Sequence, residues 1–236
     1  MARTKPPHKL PTLILLVRHG QTPTTGKLLP GRAPGLHLAE AGQQQALRAA
    51  ERIAVLPKVD AIYSSPLERA RETAAPIVAA VNLRAVNLRA VNAQSAGDTQ
   101  QRVRLHIDKG LLECDFGQWT GAELKALMKL PEWDTVQRAP STFTFPGGES
   151  FTAMQNRIVG ALDGLRAAHP GGVVVCVSHA DPIKAAVAHA MGSHIDLFQR
   201  IVISTCSITA IAYGVGAPVV LTVNSTGGSL AELRPS

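Results

Sequence analysis

The chain has 236 residues, 45% hydrophobic and 17% charged, a balance that supports a sizeable core and excludes a disordered protein. A formal charge of +7 favours anionic partners, yet the basic residues are scattered and aromatics reach only 4%, which argues against a nucleic-acid groove. Three widely spaced cysteines (Cys114, Cys176, Cys206) without a CxxC exclude a disulfide framework and a zinc knuckle. Residues 1–11 carry Arg3, Lys5 and Lys9 ahead of an apolar stretch, as a secretion signal does. That stretch is only Leu13 to Val17 and runs into Arg18-His19 without a small-residue cleavage site, so a cytoplasmic protein with a short N-terminal arm is expected. No apolar run approaches a membrane span.

Leu13 to Val17, closed by Arg18-His19-Gly20, predicts a buried strand whose C-terminal end is where open α/β sheets place their ligand crevice. A Thr/Gly/Pro-rich loop over 21–38 leads to a predicted helix over about 39–56, ended by Pro57. Residues 61–64 read as a short strand, and Ser65-Pro66 offers a capping hydroxyl and an N1 proline to a helix from Leu67. VNLRA at 81–85 recurs at 86–90, and Val91-Asn92-Ala93 begins a third copy. A period of five fits neither helix nor strand, so the segment reads as an expanded loop or helix extension without chemical role. Helices are predicted at 122–130 and 150–168, the second stopped by His169-Pro170-Gly171-Gly172. A strand at 173–178, a helix at 182–191 and a hairpin of strands at 208–213 and 219–223 complete the series. Strands alternating with helices predict a sheet covered on both faces.

Four separated segments carry candidate chemistry: Arg18-His19-Gly20; Ser65 to Ala74 with Arg69; Glu113 ahead of Asp115-Phe116-Gly117-Gln118-Trp119; and Ser178-His179-Ala180. Any one of them has an ordinary reading as a surface turn, a helix ion pair or an interior histidine. In this order they strongly resemble the motifs of the histidine phosphatase superfamily, also called phosphoglycerate mutase-like: RHG, SPLxRAxxTA, an acidic residue before D/N-F-G-x-W-x-G, and a late S-H. Pro146-Gly147-Gly148-Glu149-Ser150 matches a form common among its phosphatases.

The resemblance implies an α/β fold, a three-layer α/β/α sandwich with a mostly parallel central sheet. It would fill a single domain over 1–236, with its core at about 12–224 and a helical or loop insertion at about 119–150. It implies phosphoryl transfer with no cofactor and no metal: neutral His19 attacks phosphorus, and Arg18, Arg69 and His179 hold the equatorial oxygens. Glu113 protonates the leaving alcohol and then deprotonates water. Family members often carry asparagine seven residues beyond the RHG arginine as a phosphate contact. Thr25 stands there in this chain, so Thr25 and Thr22, with Ala180, complete the candidate phosphate-binding set. The implied partner is a small phosphate ester, with neither nucleic acid nor membrane. Family members are often homodimers or homotetramers, and nothing in the sequence fixes a symmetry.

A mutase needs a second cationic cluster for the distal phosphate, which family mutases build after the catalytic acid with adjacent arginines. Between Glu113 and Glu149 this chain has only Lys125, Lys129 and Arg138, none adjacent. The same stretch gathers Phe116, Trp119, Trp133, Phe143 and Phe145, either as a small core for the insertion or as a partly apolar lid. A phosphomonoesterase is therefore expected, with a phosphoglycerate mutase-type transferase as the alternative and a non-catalytic phosphate-binding scaffold as the third reading.

Overall fold

The structure is a computed structural model that describes residues 10–91, 102–230 and 233. In chain order its elements are β1 (Thr12–Arg18), α1 (Glu40–Ala54), β2 (Ala61–Ser64), α2 (Glu68–Val91), β3 (Leu105–Ile107), α3 (Leu124–Leu127), α4 (Glu132–Arg138), α5 (Phe151–Ala168), β4 (Val173–Ser178), α6 (Ala180–Ala190), β5 (Ile208–Tyr213) and β6 (Val219–Ser225). The six strands form one sheet in the order β3-β2-β4-β1-β5-β6. β1 to β4 run parallel, and β5 turns antiparallel to both β1 and β6.

Alternate side chains of a strand point to opposite faces, and β1 uses both. Leu13, Leu15 and Val17 join Ala50 and Ile53 of α1 and Ala70, Ala74 and Ile77 of α2 in one core. Ile14 and Leu16 join Met154 and Ile158 of α5 and Ile183 and Val187 of α6 in the other. The result is the expected three-layer sandwich around a mostly parallel sheet. Each aliphatic side chain so buried contributes roughly 1.5–3 kcal/mol, which is why the central strands read as unbroken apolar runs.

Register places the site. Arg18 lies beside Ser178 and Ser64 beside Val177, so β1, β2 and β4 end flush at one edge of the sheet. Gly20 and Gly42 let α1 press against the turn after β1: a Cβ on Gly20 would sit 2.6 Å from the Gly42 carbonyl oxygen.

Several predicted elements shift. The repeat up to Val91 is helical, as the last turns of α2; its third copy beyond Val91 lies outside the described residues. Val81 is buried while Leu83 and Val86 are exposed, so among the described side chains the period-five pattern carries no continuous apolar face. This end of the helix is tied down by polar bonds instead. Asn82 and the backbone of Val103 exchange two hydrogen bonds of 2.9 Å, and Arg84 donates to the Ala54 carbonyl. The helix predicted at 122–130 contracts to four residues, and a further helix, α4, follows Pro131, with Glu132 and Asp134 as the acidic residues a first turn favours. β3, three partly exposed edge residues, has no apolar run to announce it. The aromatics between 116 and 151 pack as a core: Phe143, Phe145 and Phe151 are buried, with Phe145 edge-on to Phe116, Trp119, Phe143 and Phe151.

Candidate active site

Backbone bonds across the flush strand ends assemble the site. The His19 amide donates to the Ser178 carbonyl and the Ser65 amide to the Val177 carbonyl, each at 2.9 Å. Thr73 on α2 accepts from the Gly20 amide at 3.0 Å and donates to the Arg69 carbonyl at 2.7 Å, fixing the first helical turns against the β1 turn. The Ser178 hydroxyl donates to the Leu111 carbonyl at 2.8 Å, drawing in the segment that carries Glu113.

His19 Nδ1 lies 2.8 Å from the carbonyl of Gly20. A carbonyl only accepts, so this nitrogen holds the proton and Nε2 keeps its lone pair. Arg69 Nε donates to that Nε2 at 3.3 Å, and the His179 ring stands with its centroid 5.1 Å from that of His19. Burial first, then the charges of Arg69 and Arg18, push the His19 pKa well below the ordinary 6.5. His179 is lowered likewise, by burial and then by Arg69 and its neighbours. Both rings are neutral at physiological pH.

Arg69 is wholly buried, in the first turn of α2. Its Nη2 donates to the Gly31 carbonyl at 2.8 Å, and Arg18 Nη1 donates to the Ile203 carbonyl at 2.6 Å. Arg69 Nη1, Arg18 Nε and His179 Nδ1 are buried without a protein partner. Leaving a donor so costs about 1–3 kcal/mol, so three orphans of cationic or dipolar groups around one imidazole suit an anion with several acceptor oxygens. The loop that follows β1 is tied over this cluster by Glu68, which accepts from the Gly35 amide, and by Glu72, which accepts from the Leu38 amide and pairs with His37.

Glu113 is buried close enough to Arg18 and Arg69 to act on their charges. Burial foremost, and then the charge of Asp181, raise its pKa to about 7, against the opposing pull of the Cys114 amide and the two arginines. A carboxyl held there keeps its proton near neutrality, as a general acid requires.

The structure thus brings Arg18, His19, Arg69, Glu113 and His179 to one end of the sheet. Thr22 is buried and Thr25 partly so, and the Thr25 hydroxyl accepts from the Thr22 amide at 2.9 Å and lies 3.0 Å from the Thr22 hydroxyl. Thr25 is therefore a turn-closing residue in this arrangement. Ala180 is the first residue of α6, so its backbone amide belongs to that helix's first turn. Among the described residues no group of three or more His, Cys, Asp or Glu side chains is placed to hold a metal ion, and no helix is long and apolar enough to cross a membrane.

The sequence matches the histidine phosphatase superfamily, branch 1, over residues 14–226. The chain belongs to this superfamily. A bifunctional protein of Mycobacterium tuberculosis is 33% identical over 221 residues, covering 92% of this chain and 55% of the relative. The chain therefore spans about half the length of the mycobacterial relatives of that group. Phosphoserine phosphatase 1 of Hydrogenobacter thermophilus is 29% identical over 218 residues, covering 90% of this chain and 92% of the relative. A solved phosphoserine phosphatase mutant of Entamoeba histolytica in complex with phosphoserine superposes with a TM-score of 0.73 at 26% identity, covering 91% and 98% of the two chains.

Within this member of the superfamily, two contributors escape the sequence reading. Ser65, expected to cap a helix, is 3.5 Å from the Leu67 amide but 2.8 Å from His179 Nε2, so its hydroxyl serves the imidazole more than the helix, which starts at Glu68. Asp181, paired with Lys184 at 3.2 Å, supplies the negative charge felt by Glu113. Ser65 was visible inside its motif. Asp181 has only its position in the first turn of the helix after the late histidine, which is too weak a signal to single it out.

Proposed function

We propose that the protein is a phosphomonoesterase that works through a phosphohistidine at His19 and needs no metal. The observation that carries this is the set of unpartnered buried donors on Arg18, Arg69 and His179 around the unprotonated Nε2 of His19. Nε2 attacks phosphorus as the bond to the ester oxygen breaks, and the three donors take the charge gathering on the equatorial oxygens. Glu113 passes its proton to the departing alkoxide, releasing an alcohol. Its carboxylate then takes a proton from water as the hydroxide forms a bond to phosphorus and the P–N bond breaks. Inorganic phosphate leaves, Nε2 regains its lone pair, and Nδ1 holds its proton on Gly20 throughout.

The Ser65 hydroxyl has a hydrogen to give, so donation to His179 Nε2 leaves the proton on Nδ1 and turns that orphan atom into a donor. Lys125, Lys129 and Arg138 are exposed on the insertion, with Arg138 paired to Asp134, an arrangement that favours hydrolysis over a mutase. Small organic phosphates are the substrate class; relatives named as phosphoserine phosphatases make phosphoserine the first to try.

p-Nitrophenyl phosphate should be hydrolysed at full rate in EDTA, with labelled phosphate trapped on the protein by an acid-free quench. His19→Ala should abolish both turnover and labelling. Unchanged turnover in His19→Ala, or a rate restored only by added metal, would overturn the proposal. Exchange of phosphate between positions of phosphoglycerate with little release of inorganic phosphate would instead establish the mutase.

A further inference from the structure

We infer that Glu149 and Arg157 form a positioning unit that aims the Glu113 carboxyl, with Arg32 as its third member; this rests on the reading of Glu113 as the proton donor. Glu113 sits in neither helix nor strand: a short 3₁₀ turn ends at Leu111, and residues 112–116 lack regular structure. No ladder of backbone bonds fixes the chain beneath its side chain, whose Oε1 accepts from the Cys114 amide at 2.9 Å. Arg157, reaching across from α5, supplies what is missing. Its Nη1 donates to the carbonyls of Gly110 and Leu112 at 2.9 and 2.8 Å, and its Nη2 reaches the carbonyl of Glu113 itself at 3.2 Å.

The same guanidinium is held in place by Glu149. Arg157 Nε and Nη2 donate to the two oxygens of that carboxylate at 2.9 and 2.8 Å, a bidentate fork that fixes the plane of the donor group. Glu149 Oε2 also accepts from the Asp115 amide at 3.3 Å and from Arg32 Nη2 at 2.9 Å. Arg32 Nε in turn donates to the Glu113 carbonyl at 2.8 Å. Two guanidiniums therefore meet on the backbone oxygen of the acid, one from the loop after β1 and one from α5, joined by one carboxylate.

This gives the Pro146-Gly147-Gly148-Glu149 segment a reason. The Glu149 amide donates to the Asp115 carbonyl at 2.8 Å, and a Cβ on Gly148 would lie 2.3 Å from that same carbonyl oxygen. Only glycine lets the segment lie this close to the acid's own stretch. Glu149 and Arg157 are thus positioning residues, acting on phosphoryl transfer through Glu113.

The test separates aim from fold. An acid matters for a poor leaving group and hardly at all for a good one, so kcat/KM is measured with phenyl phosphate and with 2,4-dinitrophenyl phosphate. Arg157→Lys keeps the charge but loses the fork. It should lower kcat/KM for phenyl phosphate about 10–100-fold and for the dinitrophenyl ester by less than about threefold. Inhibition by vanadate, which reads the phosphate donors, should be unchanged. Glu149→Gln should show the same split. An equal loss on both esters in these variants, alongside a split in Glu113→Gln, overturns the positioning role and leaves the acid in place. No split in Glu113→Gln itself removes the reading beneath. If Arg157→Lys does not fold, Glu149→Gln carries the comparison; if neither folds, the unit is structural and the inference fails.

Discussion

Replacing Glu113 by glutamine should make the protein more stable at alkaline pH while disabling it. The carboxyl is raised from the ordinary 4.5 to about 7, chiefly by burial. Below the lower value both folded and unfolded chains keep the proton, and its full stabilising effect is present. As pH rises toward the upper value the unfolded chain ionises freely while the folded one resists, so stability is lost across that window. At about 1.4 kcal/mol per pH unit the loss totals roughly 3 kcal/mol. Glutamine keeps the shape and never ionises. Urea unfolding of wild type and Glu113→Gln at about pH 5 and about pH 8 should therefore show the variant gaining roughly 2–3 kcal/mol relative to wild type between the two conditions. Depressed titrations such as those of His19 and His179 are common to both proteins and cancel to first order. An offset that is the same at both pH values would refute the reasoning, because it would mean that folding costs this carboxyl nothing.

The same raised value predicts that kcat/KM for phenyl phosphate falls as pH rises through about 7, since the acid must arrive protonated, whereas the 2,4-dinitrophenyl ester should show little of this limb. Ser65→Ala should weaken vanadate binding about tenfold by releasing the His179 tautomer, and Ser65→Thr should restore it; equal affinity in Ser65→Ala would remove the hydroxyl from the site. Gly20→Ala puts a methyl 2.6 Å from the Gly42 carbonyl oxygen, so thermal unfolding should report a cost of about 1–3 kcal/mol, and an unchanged melting temperature would contradict the close approach.

Much of the central sheet was legible because burial on both faces writes itself as apolar runs: Leu13 to Val17 and Val173 to Val177 need no context to be read. The residues that converge were legible through their motifs, since Arg18, His19, Arg69, Glu113 and His179 come from four segments that only a fold can unite. What stayed hidden lacks a local signature. β3 is short and lies at an edge, and the Asn82–Val103 bonds that hold the repeat helix join residues with nothing in common in sequence. Arg32 and Arg157 look like any surface arginine until Glu149 is seen between them. At Thr25 the motif position suggests a phosphate contact, and the structure adds what the sequence does not display, a hydroxyl that also accepts from the Thr22 amide within its own turn.

α2 has 24 residues, so at 1.5 Å per residue it runs about 36 Å, with Arg69 in its first turn and the second VNLRA copy at its far end. Each added copy would lengthen the rod by about 7.5 Å and swing the next one by about 140°, so successive copies face different directions. Growth or shrinkage at that tip leaves the grip of Arg69 on His19 in register. The sequence thus owns a stretch where slippage in copying can change its length without reaching the chemistry, and where an inserted tag would be expected to leave turnover intact.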